Sequence, residues 1–262
     1  MNKDTIQKLI NYCEEHGLDF DVLPSIINEP KVVPMVRGIG YEYVVVESLK
    51  KIFRDDKRFT AGKTIVNAQL TNKGSDADIY DNELNKIIRI ECKLASTKSF
   101  KELTKSINYP HCKIKVMRSR TLGAEMIDRQ SKKMGISKKY LSAHKDSYTA
   151  SDFDYVVTNI RNAFYITENN LFKFSPNKIE WEFLENFFEV KDHKIIDEKL
   201  KNTHFFISSK KLTPKFSGIG CNRRDCPNID DCDFIPNYPI FNLKTLDQWR
   251  PLSEIRDYLI KG

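Results

Sequence analysis

The clearest pattern of apolar and polar positions lies between residues 86 and 95. There every second residue is apolar, whereas Arg89, Glu91 and Lys93 between them are all charged. Because successive side chains of a β-strand point to opposite faces of the sheet, this alternation predicts a half-buried strand. Its charged face presents an acid and a base side by side. The apolar face consists of Ile88, Ile90, Cys92 and Leu94.

Other segments have apolar residues at helical spacing, or short apolar runs bounded by turn residues. The predicted helices cover residues 5–16, 38–53, 99–107, a segment from 124 onward, 181–190 and 251–260. The further predicted strands cover residues 64–70, 113–117, 154–160, 163–167 and 204–208. Since helices and strands are mixed along the chain, we expect an α/β fold with a mixed central sheet flanked by helices.

The composition is that of a globular chain with a substantial core. Of 262 residues, 40% are hydrophobic and 30% charged, with only 10 Gly and 10 Pro. These values exclude a largely disordered, collagen-like or low-complexity chain. No stretch approaches the ~18 apolar residues of a membrane span, and the first residues do not resemble a signal peptide, so we expect a soluble cytoplasmic protein. We expect a core over residues 1–215 and a small Cys-containing C-terminal subdomain over 216–262.

The positive charge is concentrated in one part of the chain. The net charge is +7, but residues 98–145 contain 13 Lys and Arg against three acidic residues. This segment holds all of the excess positive charge, and the rest of the chain is slightly acidic. Such a segment, taken as residues 96–145, is typical of a surface that binds a polyanion such as DNA. Solvated lysines on exposed helices are the alternative interpretation.

Acidic residues also precede the amphipathic strand. Asp78 leads into a short predicted strand, and a turn at residues 81–85 separates it from the strand that carries Glu91. Because a short turn makes two strands neighbours, Asp78 and Glu91 can converge on one cation. Asp76 is a second candidate for the first acid. Mg²⁺ binds a few carboxylate oxygens and keeps other positions for water and phosphate, which suits hydrolysis of a phosphodiester bond.

Asp78 followed by Glu91-Cys92-Lys93 at the end of an apolar strand resembles the PD-(D/E)xK nuclease superfamily, which includes many type II restriction endonucleases. The resemblance implies that Asp78 and Glu91 bind Mg²⁺ and that Lys93 orients or helps to deprotonate the attacking water. It also implies that the Cys92 carbonyl is a further metal ligand. In place of the leading proline of the family motif, this chain has Ala77.

The resemblance extends to the helix predicted over residues 38–53, where Glu42 corresponds to an accessory acid near the metal. It implies a restriction-endonuclease-like core and Mg²⁺-dependent cleavage of double-stranded DNA at a short specific sequence. Cleavage of a palindrome implies a homodimer, because the symmetry of the DNA site is matched by that of the protein. The alternatives are a structure-selective or repair nuclease of the same superfamily, and a DNA-binding protein in which Glu91 and Lys93 merely pair on an edge strand.

Basic residues beyond the amphipathic strand are the candidates for contact with DNA. Lys98, Lys101 and Lys105 are spaced for one face of the helix predicted over residues 99–107, where they can follow phosphates. A second basic run and a later asparagine complete the set, which is Lys113, Lys115, Arg118, Arg120 and Asn159. Of these, the arginines and the asparagine are residue types that can read base edges, although phosphate contacts are more common.

Three cysteines near the C-terminus form a second candidate site, with the spacing Cys221-x4-Cys226-x5-Cys232. In a reducing compartment such a cluster indicates a structural zinc site or three reduced thiols. The arrangement also resembles the terminal cysteines of recombination-type PD-(D/E)xK nucleases, and this resemblance implies an iron–sulfur cluster as a further possibility. Zinc usually takes four ligands, and a fourth is missing from the local sequence. The candidates for the fourth ligand elsewhere in the chain are His204, Cys112 and His111. Another histidine, His144, is expected at the surface.

Overall fold

Short strands and helices alternate along the chain in the computed structural model, which describes residues 2–63, 74–118, 121–168, 171–217, 232–246 and 248–261. The strands within these ranges are β1 (Phe59–Gly62), β2 (Ala77–Asp81), β3 (Lys86–Leu94), β4 (His111–Lys113), β5 (Tyr155–Asn159), β6 (Tyr165–Glu168), β7 (Leu171–Phe174), β8 (Phe205–Ser208), β9 (Ile240–Asn242) and β10 (Arg250–Pro251). The α-helices are α1 (Lys3–Glu15), α2 (Leu23–Ile27), α3 (Val33–Ile52), α4 (Ala124–Met134), α5 (Lys138–Ala143), α6 (Lys178–Phe188), α7 (His193–Asn202), α8 (Pro214–Ser217) and α9 (Ile255–Lys261).

Six of these strands form one mixed sheet in the order β1-β2-β3-β5-β8-β10. β3 and β5 are parallel, and the other neighbouring strands are antiparallel. Two smaller sheets pair β4 with β9 and β6 with β7. The expected α/β class, with a mixed central sheet flanked by helices, is confirmed. β3 is a central strand, so the edge position considered for it is wrong, whereas the possibility of a DNA-binding protein without catalytic activity is a separate question.

The long helix α3 covers one face of the sheet because its apolar residues recur at helical spacing. Tyr41, Val45 and Leu49 are buried at intervals of four residues and pack in one cluster with strand residues such as Ile79 and Ile90. Burial of one such side chain contributes roughly 1.5–3 kcal/mol. Alternate residues of β3 face this helix, as the pattern predicts.

A larger apolar cluster covers the opposite face. Val156, Phe205 and Ile207 from β5 and β8 pack there with Phe241 and Trp249 from the C-terminal region. In the same region β9 pairs with β4, and β10 extends the main sheet beside β8. The aromatic side chains of the C-terminal region therefore pack in the same cluster as the central sheet.

The segment after β3 differs from its prediction. Residues 96–110 form turns and isolated bridges, so the helix predicted over 99–107 is wrong. A bridge between Lys101 and His111 closes this segment as a loop, and Lys98 has a φ of 52°, which an α-helix does not allow. The three lysines expected on one helix face are therefore carried by a loop.

Most other predicted elements are confirmed to within a few residues, among them α1, α3, α4, α6, β5, β6 and β8. The strand predicted over residues 113–117 lies slightly earlier, as β4, and the strand predicted over 64–70 lies outside the described residues. In the part of the chain that is described, no helix has the length and apolar character needed to cross a membrane.

Candidate active site

The turn between β2 and β3 aligns the two strands that carry the predicted acids. The Asp81 carboxylate accepts hydrogen bonds from the backbone N–H groups of Glu83 and Leu84, at 3.1 Å each. It also forms an ion pair with Arg58 at 2.8 Å. Asn85 has a φ of 47°, a left-handed conformation that asparagine adopts more readily than most residues. These contacts hold the hairpin in a single register.

Asp76 lies directly before β2, and its backbone N–H donates to the carbonyl of Ile90, the residue before Glu91, at 3.1 Å. The antiparallel pairing aligns Asp78 with Arg89. The Asp76 carboxylate also accepts a hydrogen bond from the backbone N–H of Cys92 at 2.8 Å. The structure thus brings Asp76 close to Glu91, whereas Asp78, the residue expected there, pairs with Arg89.

The Lys93 ammonium lies between the two carboxylates. Its Nζ is 2.5 Å from Glu91 Oε1 and 3.8 Å from Asp76 Oδ2. The three side chains are only 10–23% exposed. Water screens charges weakly at such depth, so these contacts are stronger than a surface ion pair. The charged face predicted for β3 therefore forms a compact acid–lysine–acid cluster, which comprises Asp76, Glu91 and Lys93.

Tyr148 contacts this cluster, although nothing in the sequence pattern singles it out. Its hydroxyl donates to Glu91 Oε1 at 2.7 Å. Its ring centroid lies 5.6 Å from the Lys93 ammonium and 4.8 Å from the Arg118 guanidinium, both within the range of a cation–π interaction. Tyr148 lies between α5 and β5, far from β3 in the chain, so only the folded structure connects them.

A third carboxylate approaches from α3. Glu42 forms an ion pair with Lys63, and the side chains are 20% and 18% exposed. The charge of Glu42 also acts on Asp76 and raises its pKa. Glu42 is therefore near the cluster, where the resemblance implies an accessory acid. Lys63, which balances its charge, is a residue that sequence reasoning missed.

The crowding of carboxylates changes the protonation of the cluster. Burial, together with the charges of Glu91 and Glu42, raises the pKa of Asp76 to about 7, against the opposing effect of Lys93. Burial alone would lower the pKa of Lys93, but Glu91 and Asp76 outweigh it and raise that pKa well above its ordinary value. Lys93 therefore remains a cation, and a further positive charge would relieve the repulsion among the acids.

The donor set fits a hard cation that is held by few protein ligands. In the described part of the chain, no group of three or more His, Cys, Asp or Glu side chains is placed to hold a metal ion. Mg²⁺ does not need such a group, since it commonly binds one or two carboxylates together with water and phosphate. Asp76 and Glu91 supply two. The Cys92 thiol is buried in the apolar cluster beneath α3, so Cys92 offers only its backbone carbonyl.

A cleft of about 480 Å³ opens at the end of β3. Its charged lining residues are Glu42 and three basic residues, Arg37, Lys93 and Lys115. Such a lining favours an anionic substrate. Of the other lysines expected to contact DNA, all are exposed on the surface, namely Lys98, Lys101, Lys105 and Lys113.

Two of the expected base-reading residues are engaged within the protein. The Arg118 guanidinium donates to Asp152 at 2.7 Å and to a backbone carbonyl at 2.9 Å. Asn159 is buried, and its amide donates to the carbonyls of Leu200 and Thr203 at 2.6 and 2.8 Å. The expectation that Asn159 reads bases is therefore wrong, because its donors are used inside the core. Arg120 lies outside the described residues.

The cysteine site is described only in part. Cys221 and Cys226 lie outside the described residues, whereas Cys232 is fully buried. Its Sγ is 3.6 Å from Nε2 of His144. His144 is 1% exposed, so the expectation that it lies at the surface is wrong. It is held inside by ring packing against Phe234, with centroids 4.3 Å apart.

The fourth ligands expected from the sequence belong to other parts of the core. Cys112 packs in the large cluster opposite α3. His111 places Nδ1 2.9 Å from the Tyr109 carbonyl. The His204 ring packs beside Tyr41, with ring centroids 5.7 Å apart. Among the described residues, the imidazole beside Cys232 is therefore that of His144.

Comparisons of this chain with models of protein families, with curated proteins and with solved structures found no match. The fold and the site define an α/β protein with a half-buried acid–lysine–acid cluster beside a basic cleft.

Proposed function

We propose that this chain is a Mg²⁺-dependent type II restriction endonuclease, which hydrolyses double-stranded DNA at a short specific sequence. The observation that carries the proposal is the position of the Lys93 ammonium, 2.5 Å from Glu91 and 3.8 Å from Asp76. These residue types are the ones that the resemblance to PD-(D/E)xK nucleases assigns to catalysis. In this proposal Asp76 takes the role that the sequence pattern gave to Asp78.

Each member of the cluster has a separate task in this proposal. Asp76 and Glu91 hold the cation, which when bound neutralises the scissile phosphate and lowers the pKa of the attacking water. Lys93 keeps its proton because its pKa is raised, so it orients the water and stabilises charge on the phosphate instead of acting as a base. Tyr148 fixes the orientation of the Glu91 carboxylate through its hydroxyl.

The distribution of exposed lysines supports a DNA substrate. Lys115 lines the cleft beside Lys93, and Lys98 and Lys113 are exposed on the two segments that follow β3. Contacts of this kind position a duplex through its phosphates without reading the sequence. Symmetric cleavage of a palindrome by a homodimer belongs to the same proposal, because each protomer then supplies one cluster to one strand.

The test is incubation of purified protein with plasmid DNA and Mg²⁺. We expect discrete fragments from the wild type. The Lys93→Ala variant should lose at least about 10²-fold in cleavage rate, because a charge that stabilises the transition state is removed. Its DNA affinity should stay within a few-fold of wild type. Lys86→Ala, at the exposed start of the same strand, is the matched control and should cleave normally.

The products distinguish the alternatives. Cleavage only at junctions or ends would favour a structure-selective or repair nuclease. Intact DNA together with tight binding would favour a DNA-binding protein without catalytic activity. Normal cleavage by Lys93→Ala would show that the cluster is not the catalytic site.

A further inference from the structure

A second site lies in a small apolar cluster apart from the two that cover the sheet. Its buried members are Leu141, Cys232 and Phe234. The buried His144 packs against Phe234 and faces the sulfur of Cys232 across 3.6 Å. A buried thiol and a buried imidazole are thus held together by two segments that are distant in the chain.

The surroundings of His144 determine which ring nitrogen faces the sulfur. Nδ1 lies 2.9 Å from the backbone carbonyl of Tyr140, which can only accept a hydrogen bond. Nδ1 therefore carries the proton, and Nε2 presents its lone pair to Cys232. Metal-bound histidines are usually oriented in this way, with the second ring nitrogen donating to a carbonyl or carboxylate.

The separation of the two atoms suits a shared zinc ion. Zinc binds cysteine sulfur at about 2.3 Å and histidine nitrogen at about 2.0–2.1 Å, which in a tetrahedral site places the two ligand atoms about 3.6 Å apart. The separation between Cys232 Sγ and His144 Nε2 is 3.6 Å. The Tyr140 hydroxyl also donates to the same sulfur at 3.0 Å, which favours the thiolate that a metal requires.

The local packing gives a physical reason for a metal. α4 and α5 pack around a cluster with few buried residues, and none of the described side chains of α4 is fully buried. A metal ion bound by groups from both segments would add its binding free energy to the stability of this small cluster. The sequence also contains two further thiols, Cys221 and Cys226, within eleven positions of Cys232.

We propose that His144 and Cys232 are two ligands of a structural zinc ion. The proposal is independent of the nuclease function, since it concerns other residues and another cluster. A structural zinc site needs four ligands. Substitution of Cys221 and Cys226 tests whether those thiols supply the other two.

The experiment measures the zinc content of protein purified without chelator. We expect about one zinc ion per chain in the wild type and almost none in His144→Ala or Cys232→Ser. Cys13→Ser is the matched control, because Cys13 is also a buried thiol but lies in α1. Protein with this substitution should contain as much zinc as the wild type.

A second measurement, made on the wild type, tests the proposal even if the variants fail to fold. Wild-type protein stripped with a chelator should lose thermal stability and regain it with Zn²⁺, and Co²⁺ should give the visible absorption of a tetrahedral thiolate site. Three results would each overturn the proposal: wild-type protein that contains no zinc and does not respond to it, iron with inorganic sulfide in place of zinc, or folded His144→Ala with a full zinc content.

Discussion

The carboxylates of the acid–lysine–acid cluster use their oxygens unequally. Glu91 Oε1 accepts from both Lys93 and Tyr148, and Asp76 Oδ2 accepts from the Cys92 backbone and faces Lys93. One oxygen of each carboxylate is thus held in place by protein donors. We therefore expect the other two oxygens, Glu91 Oε2 and Asp76 Oδ1, to be the metal ligands.

Substitution of the two aspartates should separate their roles. Asp76→Asn should lower the cleavage rate by at least about 10²-fold, because the proposed metal site would lose one of its two carboxylates. Asp78→Asn should stay within about tenfold of wild type, since Asp78 aligns with Arg89 and not with Glu91. The measurement is plasmid cleavage, with the Mg²⁺-dependent rise in thermal midpoint as a second readout. A larger loss of cleavage rate in Asp78→Asn than in Asp76→Asn would instead favour Asp78 as the first acid.

His204 should make the folded protein sensitive to acid. Burial beside Tyr41 lowers its pKa to about 4, from an ordinary value of 6.5. Between these values the unfolded chain binds a proton that the folded chain does not, so stability is lost as the pH falls. From about pH 7 to pH 4 this group should lower the free energy of unfolding by about 2–3 kcal/mol.

Urea unfolding at several pH values measures this effect. The His204→Phe variant should lose less stability on acidification than the wild type, because it has no group to protonate at this position. His16→Phe, at an exposed position, should leave the acid sensitivity unchanged. If the free energy of unfolding fell equally with pH in wild type and in His204→Phe, His204 would not be the source of the acid sensitivity.

At the scale of single elements, α3 has two separable tasks. Its apolar side buries Leu49 against the sheet, whereas Glu42 reaches the edge of the cleft and pairs with Lys63. One helix therefore stabilises the strands that carry the cluster and also contributes charge to it. Because these side chains lie on different parts of the helix, substitution can affect one task without the other.

Leu49→Ala and Glu42→Gln should show this separation. Leu49→Ala should lower the free energy of unfolding by about 2–5 kcal/mol, because it leaves a cavity in the core. Its cleavage rate well below the melting temperature should be close to wild type. Glu42→Gln should keep nearly the stability of wild type and cleave at least about tenfold more slowly. Denaturant unfolding and plasmid cleavage of both variants test this, and a stable Glu42→Gln variant with full activity would exclude an accessory role.

At the scale of the whole molecule, the C-terminal region, residues 232–261, contributes side chains to the apolar clusters on both faces of the sheet. Phe241 and Trp249 belong to the cluster opposite α3, whereas Leu252 and Ile255 belong to the cluster beneath α3. β10 also pairs with β8 at one edge of the sheet. Removal of this region would expose apolar surface on both sides.

A chain that ends at residue 231 should therefore fail to fold. Each large buried side chain that is lost contributes roughly 1.5–3 kcal/mol, and several together approach the total stability of a typical domain, about 5–15 kcal/mol. Circular dichroism and hydrogen exchange of the truncated chain test this. A chain that lacks only residues 260–262 is the control and should remain folded, since Ile260 is half exposed. A folded chain that ends at residue 231 would show that the rest of the protein does not need the C-terminal region to fold.

The sequence by itself determined the elements whose apolar and polar residues alternate with a regular period within one continuous segment. The alternation from Ile88 to Leu94 predicted the half-buried strand and its charged face, and the spacing of Tyr41, Val45 and Leu49 predicted the helix that covers it. The burial of a side chain follows the period of its own element, so these features are local. The loop at residues 96–110 was not predictable in this way, because contacts with distant residues hold it, such as the hydrogen bond from the Lys98 N–H to the Tyr165 carbonyl at 3.2 Å.

Only the tertiary structure decided which of these residues meet. The folded hairpin brings Asp76 close to Glu91 and pairs Asp78 with Arg89, and the sequence pattern alone left both aspartates as candidates. Tyr148 reaches Glu91, and His144 reaches Cys232, from segments far away along the chain. Contacts of this kind depend on how packed elements approach one another, and no local period encodes that approach.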